Sequence, residues 1–315
     1  MSHAIIETQE NPLITFVVFA YNQEQYIREA IEGAFSQTYS PLQIILSDDC
    51  STDCTFEIMQ EMVEHYVGSH KIVLNRNEKN LHIGGHINKV MELAKGVLIV
   101  GAAGDDISVP ERTAVIAECY LSNNRIACSI YSDANYIDVN GKFTGLYSVA
   151  RPEGYFRPVS YARGKFHGVL GASHAWHKCL FDKFGPLPPN ITYEDDIIPF
   201  RAALLGKVIH IPQPLVRYRR HDGSVMNQTT NASEKQLLNL NRFLMVYDSN
   251  LKDLMHYCFF INYGFPSKEA CIKEIFRQRT ITVCTINTIS GTLITRFVSI
   301  LIINWLRFLR HVCKK

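Results

Sequence analysis

Hydrophobic and polar positions along the first 130 or so residues switch repeatedly between two periods. Residues 14–19, ITFVVF, form a short β-branched apolar run, the mark of a strand buried on both faces. Residues 23–35 then place Ile27, Ala30, Ile31 and Ala34 on one face of a helix. The alternation continues. Strands are predicted over 43–47, 71–75, 97–101 and 127–132, and helices over 55–66, 85–94 and 110–121. Ser51-Thr52-Asp53 supplies cap formers ahead of the second helix, and Pro110 stands in the first turn of the fourth. This order predicts right-handed crossovers and an α/β fold with a mostly parallel central sheet flanked by helices. After Tyr131 the pattern changes. Asn140-Gly141 reads as a hairpin turn, and 150–190 is rich in Gly, Pro, His and aromatic residues, as expected of a segment that shapes a substrate site. Residues 191–205 read as a loop entering a helix, 207–211 as a strand broken by Pro212-Gln213-Pro214, and 233–262 as helix.

Parallel sheets bind ligands beyond the carboxyl ends of their strands. Those ends read Ala20-Tyr21-Asn22, Asp48-Asp49, Asn75-Arg76-Asn77 and Gly104-Asp105-Asp106, so two acidic pairs fall on one rim. Asp105 and Asp106 would repel each other at a strand end, and a divalent cation shared with phosphate oxygens relieves such repulsion. The small residues Gly101 to Gly104 leave room for a ligand there, although a solvated loop with a cap before Pro110 explains the same letters. Asp49 can accept from a base N–H or a ribose hydroxyl, or belong to a cap cluster. Glu194-Asp195-Asp196 opens a helix, where acids complement the dipole. A carboxylate there can equally act as a general base within roughly 2.6–3.2 Å of a hydroxyl. His221 follows Arg217, Arg219 and Arg220, a group that could meet a diphosphate or metal or form a basic surface loop.

Other chemistries fit less well. Gly84-Gly85 interrupts the His82/His86 pair, and His174/His177 lacks a third ligand at regular spacing, so zinc is disfavoured. No GxGxxG follows the first strand and no GxxxxGK[ST] is present.

Composition adds the setting. The chain has 315 residues, 47% of them apolar, enough for one large domain with a smaller appendage. Net charge is +2, which implies no nucleic-acid partner. No acidic residue follows Glu274, while seven basic residues do, leaving about −5 for the rest. The nine cysteines form no zinc-spaced set and read as reduced thiols. The N-terminal residues lack the basic start and apolar core of a signal peptide, so the chain is expected to be cytoplasmic and the sequons at Asn190, Asn227 and Asn231 to carry little meaning. Residues 293–310 are apolar but interrupted by Arg296, Asn304 and Arg307. At about 100° per residue, Arg296, Arg307, Arg310 and Lys314 share one stripe. That suits a helix lying on the inner face of a cell membrane, with Trp305 at headgroup level, or a helix packed on the domain or a partner subunit.

Taken in order, these motifs resemble family 2 inverting glycosyltransferases of GT-A fold. The resemblance runs from Phe16-Val-Val-Phe-Ala-Tyr-Asn22 through Tyr26-Ile27, Ser36-Gln-Thr-Tyr39, Asp48-Asp49-Cys-Ser-Thr-Asp53, residues 80–88, Ala94-Lys-Gly96 and Gly104-Asp105-Asp106. It ends with Glu194-Asp195 and Tyr218-Arg-Arg-His221 and covers about residues 12–226. It implies a GT-A domain over 1–226 and a helical region over 227–315 that ends in the basic tail, about 291–315. Ala20, Tyr21 and Glu24 would line the nucleotide pocket, Asp49 would contact the base, uracil being favoured, and Asp105 would lie toward the ribose. Asp106 would coordinate Mn²⁺ or Mg²⁺, His221 would meet diphosphate or metal, and Asp195 would be the catalytic base. The donor would be a nucleotide sugar and the acceptor a polyprenyl-diphosphate-linked glycan of O-antigen or capsule type. An oligomer is compatible with all of this. Many similar chains read Asp-x-Asp-Asp where this one has Ala103-Gly104-Asp105-Asp106, which removes one acidic contact. Two other readings stand beside this one. A nucleotidyltransferase on a similar sheet would favour a basic, glycine-rich loop after the first strand, whereas Tyr21-Asn22-Gln23-Glu24 is neutral to acidic. A non-catalytic nucleotide-sugar-binding protein would not need all of Asp49, Asp105, Asp106, Asp195 and His221.

Overall fold

A computed structural model describes residues 11–148, 158, 169–189, 191–221, 232–257 and 268–290. The basic tail and the sequons lie outside those residues. Among the described residues nine strands form one sheet: β1 (Ile14–Ala20), β2 (Leu42–Asp48), β3 (Lys71–Arg76), β4 (Leu98–Ala103), β5 (Ile107–Ser108), β6 (Ala127–Ile137), β7 (Phe143–Tyr147), β8 (Ala175–His177) and β9 (Lys207–Arg219). The order across it is β3-β2-β1-β4-β8-β6-β9-β5, with β7 paired to β6. The helices are α1 (Ile27–Phe35), α2 (Thr55–Glu64), α3 (His82–Leu93), α4 (Arg112–Ser122), α5 (Cys179–Phe184), α6 (Glu194–Leu205), α7 (Ala232–His256) and α8 (Lys268–Ser290).

The alternation of side chains along each strand sorts the core into two layers. Phe16 and Val18 of β1, with Ile44 and Leu46 of β2, pack under Ile27 and Ile31 of α1, Met59 of α2 and Ile116 of α4. Val17, Ile45 and Ile99 face the other way, against Ile87 and Val90 of α3, Leu180 of α5 and Ile197 and Ile198 of α6. Full burial of each such side chain contributes about 1.5–3 kcal/mol, so two-sided cover makes β1 and β2 the anchor of the sheet. A third cluster joins Phe184, Phe200 and Leu204 to Leu251 and Leu254 of α7 and Ile275 of α8. There Arg201 and Asp253, both almost fully buried, pair at 2.8 Å.

The predicted parallel sheet is present from β3 through β4. Beyond β4 it becomes mixed: β8 runs antiparallel to β4 and β6, and β9 parallel to β6. Two sequence expectations need correction. Pro212-Gln213-Pro214 does not end a strand, because β9 continues to Arg219. The ladder to β6 shifts between Ser132, opposite Ile211, and Asp133, opposite Pro214, so the prolines sit where N–H groups are not required. Gly84-Gly85 does not break the third helix, since α3 starts at His82 and runs through both. Among the described residues, no helix is long and apolar enough to cross a membrane.

Candidate active site

The rim at the carboxyl ends of β1, β2 and β4 is built first by backbone. The N–H groups of Asp49, Asn77 and Gly104 bond to the carbonyls of Ala20, Asp48 and Phe19 at 2.9, 2.9 and 2.8 Å. Each strand end is thereby tied to its neighbour. Ala20 is buried, whereas Tyr21 is exposed. Asn22, at φ 53°, turns the chain so that its side-chain oxygen accepts from the Thr52 N–H at 2.8 Å. Glu24 forms a reciprocal pair with the next loop: its N–H meets Asp53 at 3.1 Å, and its Oε2 accepts from the Cys54 N–H at 2.9 Å. One oxygen of Glu24 is therefore committed to holding the start of α2.

Asp48 and Asp49 are both buried and both well supplied with donors. Asp48 accepts from the Ser51 N–H at 2.9 Å and from its hydroxyl. Asp49 Oδ1 accepts from Asn77 Nδ2 and from the Leu81 N–H, each at 2.8 Å. Its Oδ2 faces His86 Nδ1 at 4.0 Å.

The second acidic pair is treated differently. Asp105 Oδ2 lies 2.9 Å from His221 Nε2, and the His221 ring packs on Tyr26 with centroids 5.0 Å apart. Asp106 is buried, its Oδ1 accepts the Arg219 N–H at 2.7 Å, and its Oδ2 has no hydrogen-bond partner. Burial, reinforced by Asp105, holds the Asp106 carboxyl well above the usual range. Arg112 lies near it, and burial lowers that guanidinium to about 9. Contact with His221 thus belongs to Asp105, while Asp106 fastens the end of β9. The small residues before the pair are occupied by protein. A Cβ on Gly104 would meet Gln23 Oε1 at 2.4 Å and Ile27 at 3.0 Å, so this glycine makes room for the turn into α1 and not for a ligand.

Of the three arginines before His221, only Arg219 reaches the pair. It donates to the Asp105 carbonyl at 2.9 Å, to Asp138 and Val139 carbonyls at 3.2 and 3.0 Å, and to Glu29 at 3.0 Å. It is fully used as a structural clamp. Arg217 and Arg220 are exposed, and Arg220 lies over the Tyr136 ring.

Asp195 stands in the first turn of α6 beside Glu194. Both carboxylates border the single turn Gly171–Ser173: a Cβ on Gly171 would come within 3.0 Å of Glu194 Oε1 and 3.6 Å of Asp195 Oδ2. That turn continues into His174, whose carbonyl accepts the Gly101 N–H of β4 at 3.0 Å. Burial raises both acids, and it pushes Asp195 up to about 7. A carboxyl near neutrality is suited to taking a proton.

Among the described residues no group of three or more His, Cys, Asp or Glu side chains gathers as a metal cage. The pair Asp105 and His221, with the unpartnered Asp106 oxygen behind it, nevertheless has the hard oxygen and imidazole donors that suit Mn²⁺ or Mg²⁺ completed by phosphate oxygens and water. His86 entered the sequence reading only as half of the disfavoured His82/His86 zinc pair; the signal for a buried role was its place on the apolar face of α3, among Ile83, Ile87, Val90 and Met91.

With this geometry in view, the chain can be set beside known proteins. A family model described as "Glycosyl transferase family 2" matches residues 15–173, half of the chain. Chondroitin synthase of Escherichia coli is 30% identical over 163 residues, which are 52% of this chain and 22% of that protein. Among solved structures, S. aureus TarS 1–349 in complex with UDP-GlcNAc superposes with a TM-score of 0.55 at 14% identity, covering 89% of this chain and 90% of that one. The mannosyltransferase PcManGT from Pyrobaculum calidifontis, in complex with GDP-Man and Mn²⁺, gives 0.55 at 14% identity over 94% and 84%. These structures share the GT-A fold with the chain.

Proposed function

Because this chain belongs to glycosyl transferase family 2 and is therefore a glycosyltransferase, we propose that it moves a sugar from a UDP-sugar to a glycan hydroxyl with inversion at the anomeric carbon. Three observations support the reading: a fixed acceptor, Asp49, at the end of β2, the Asp105–His221 pair at 2.9 Å beyond β4, and Asp195 at the start of α6 beside the Gly171–Ser173 turn that leads to the His174–Gly101 hydrogen bond on β4. Ala20, Tyr21 and Glu24 border the nucleotide, and Asp49 accepts from the base. Asp105 and His221 would hold Mn²⁺ or Mg²⁺, with Asp106 fixing the strand end beneath them. When bound, that cation supplies positive charge for the departing diphosphate. Asp195 takes the acceptor hydroxyl proton. The hydroxyl oxygen bonds to the anomeric carbon, and the nucleoside diphosphate leaves from the opposite face with the electron pair of the broken bond.

The acceptor in this proposal is a polyprenyl-diphosphate-linked glycan, in synthesis of an O-antigen or capsule. Support comes from the basic stripe of residues 291–315, which would seat the enzyme on the inner face of the membrane. Residues 1–226 would then be the catalytic unit and 227–315 a helical C-terminal region. The test is release of nucleoside diphosphate from UDP-, GDP- and dTDP-sugars, measured with membrane lipid extract as acceptor source. Release confined to UDP-sugars and dependent on Mn²⁺ or Mg²⁺ is expected. Release from none of them, in folded protein, refutes the proposal.

A further inference from the structure

Behind Asp49 lies a buried ring of polar side chains whose hydrogens can be assigned one by one. Asp49 Oδ1 accepts from the Leu81 N–H and from the amide nitrogen of Asn77, each at 2.8 Å. The Asn77 oxygen then accepts from Asn75 Nδ2 at 3.0 Å. The same Asn75 nitrogen donates to Ser47 Oγ at 3.0 Å. Ser47 is fully buried, and its remaining contact is His86 Nε2 at 2.7 Å. Its hydroxyl proton must point at that nitrogen, because Asn75 offers it only a donor. His86 Nε2 is therefore the acceptor, the ring proton resides on Nδ1, and Nδ1 faces Asp49 Oδ2 at 4.0 Å. The chain of hydrogen bonds starts on Asp49 Oδ1 and ends at His86, whose Nδ1 proton lies toward Asp49 Oδ2 across 4.0 Å, an electrostatic contact and not a hydrogen bond. Burial also holds His86 below the ordinary imidazole range against the pull of Asp49 and Asp48, in keeping with a neutral ring.

We infer that His86 is a positioning residue for base recognition: it keeps Asp49 oriented and surrounded by donors alone, so that the carboxylate selects a nucleobase presenting a ring N–H, as uracil does, over cytosine. This rests on the donor site proposed above. Asp49 Oδ1 already receives two N–H groups, so Oδ2 is the oxygen left for a ligand. Cytosine would set its bare ring nitrogen against that oxygen, acceptor on acceptor, and a site built to receive a hydrogen bond rejects a partner lacking it. The Phe19 ring, edge-on to His86 at 5.1 Å, fixes the imidazole plane from the strand side.

Calorimetry with UDP and CDP in the presence of Mn²⁺ tests this in the full chain. Wild type is expected to favour UDP by more than about tenfold. His86→Ala should lose about tenfold in UDP affinity with little change for CDP, collapsing the ratio. His86→Asn, which restores an N–H at the Nδ1 position, should recover most of the preference. Ser47→Ala, which frees Nε2 to take the proton, should shift the ratio in the same direction. A general folding lesion would instead lower the bound fraction for both nucleotides together. An unchanged UDP/CDP ratio in His86→Ala, or an equal loss for both, overturns the inference while leaving the donor site standing. Absence of binding by wild type to UDP, GDP and dTDP alike would instead defeat the donor site itself.

Discussion

The two halves of the rim treat their carboxylates in opposite ways. At the ends of β1 to β3, Asp48, Asp49 and Asp53 are met by N–H and O–H donors at nearly every oxygen. Beyond β4 and at the start of α6, burial outweighs the hydrogen bonds the carboxylates receive. Asp106 Oδ2 has no partner, and burial raises Asp106, Glu194 and Asp195. A carboxylate saturated with donors is a fixed acceptor, which suits recognition. One raised by burial to about 7, as Asp195 is, can exchange a proton at physiological pH, which suits chemistry. The halves are joined by α3: Asn88 bonds both ways with Leu187, at 2.8 and 2.9 Å, and the Gly84 N–H reaches the Ile191 carbonyl at 3.2 Å. The segment leading to Asp195 is thus clamped to the helix that carries His86.

The contrast can be broken by exchanging one carboxylate at a time. The largest effect is expected for Asp195→Asn, which removes the proposed proton acceptor while keeping its shape. Sugar transfer should fall by about 10²–10⁴-fold in a nucleoside diphosphate release assay. Near-normal turnover would remove Asp195 from the chemistry.

A pH series sharpens the same point. Asp195 must be ionised to act, so kcat/KM should fall on the acid side of about 7. Stability should run the other way. The folded-state value lies above the unfolded one, so the folded protein holds a proton that the unfolded chain has already lost as pH rises from about 4 to 7. The ionised carboxylate is then a folding cost, present in full above 7. Allowing for its partial exposure, Asp195→Asn should stabilise the protein by roughly 1–3 kcal/mol at pH 8 and much less at pH 4, as read by urea denaturation. Equal effects at both pH values would contradict the assigned shift.

The smallest effect belongs to the recognition half. His82 holds φ 58° at the first position of α3, with its N–H on Asn80 Oδ1 at 2.8 Å. His82→Gly should remove backbone strain and stabilise by about 0.5–1 kcal/mol without altering UDP affinity. A loss of stability would mean that the side chain contributes more than its backbone costs.

How far these features could be read in advance depended on their range in sequence. The strands β1 to β4 and the helices between them were legible because each is buried by its own local pattern, and the rim residues followed from where those strands end. Asp105 and Asp106 were found together, but the partner of each was not. Arg219 and His221, more than 110 positions later, supply those partners. The long course of β9 was hidden because prolines normally end strands, and only a register shift in its partner accommodates them. His86 was obscured by the neighbouring Gly84-Gly85, which read as a break until tertiary contacts on both sides of α3 held the helix through them.

The division between recognition and chemistry is tested most directly by one paired measurement: UDP affinity by calorimetry with Mn²⁺, and sugar transfer, in Asp49→Ala and Asp195→Asn side by side. The account predicts that Asp49→Ala loses about 10- to 100-fold in UDP affinity, whereas Asp195→Asn binds UDP as wild type does and fails only in transfer. Wild-type UDP affinity in Asp49→Ala, or UDP affinity lost in Asp195→Asn, would contradict it.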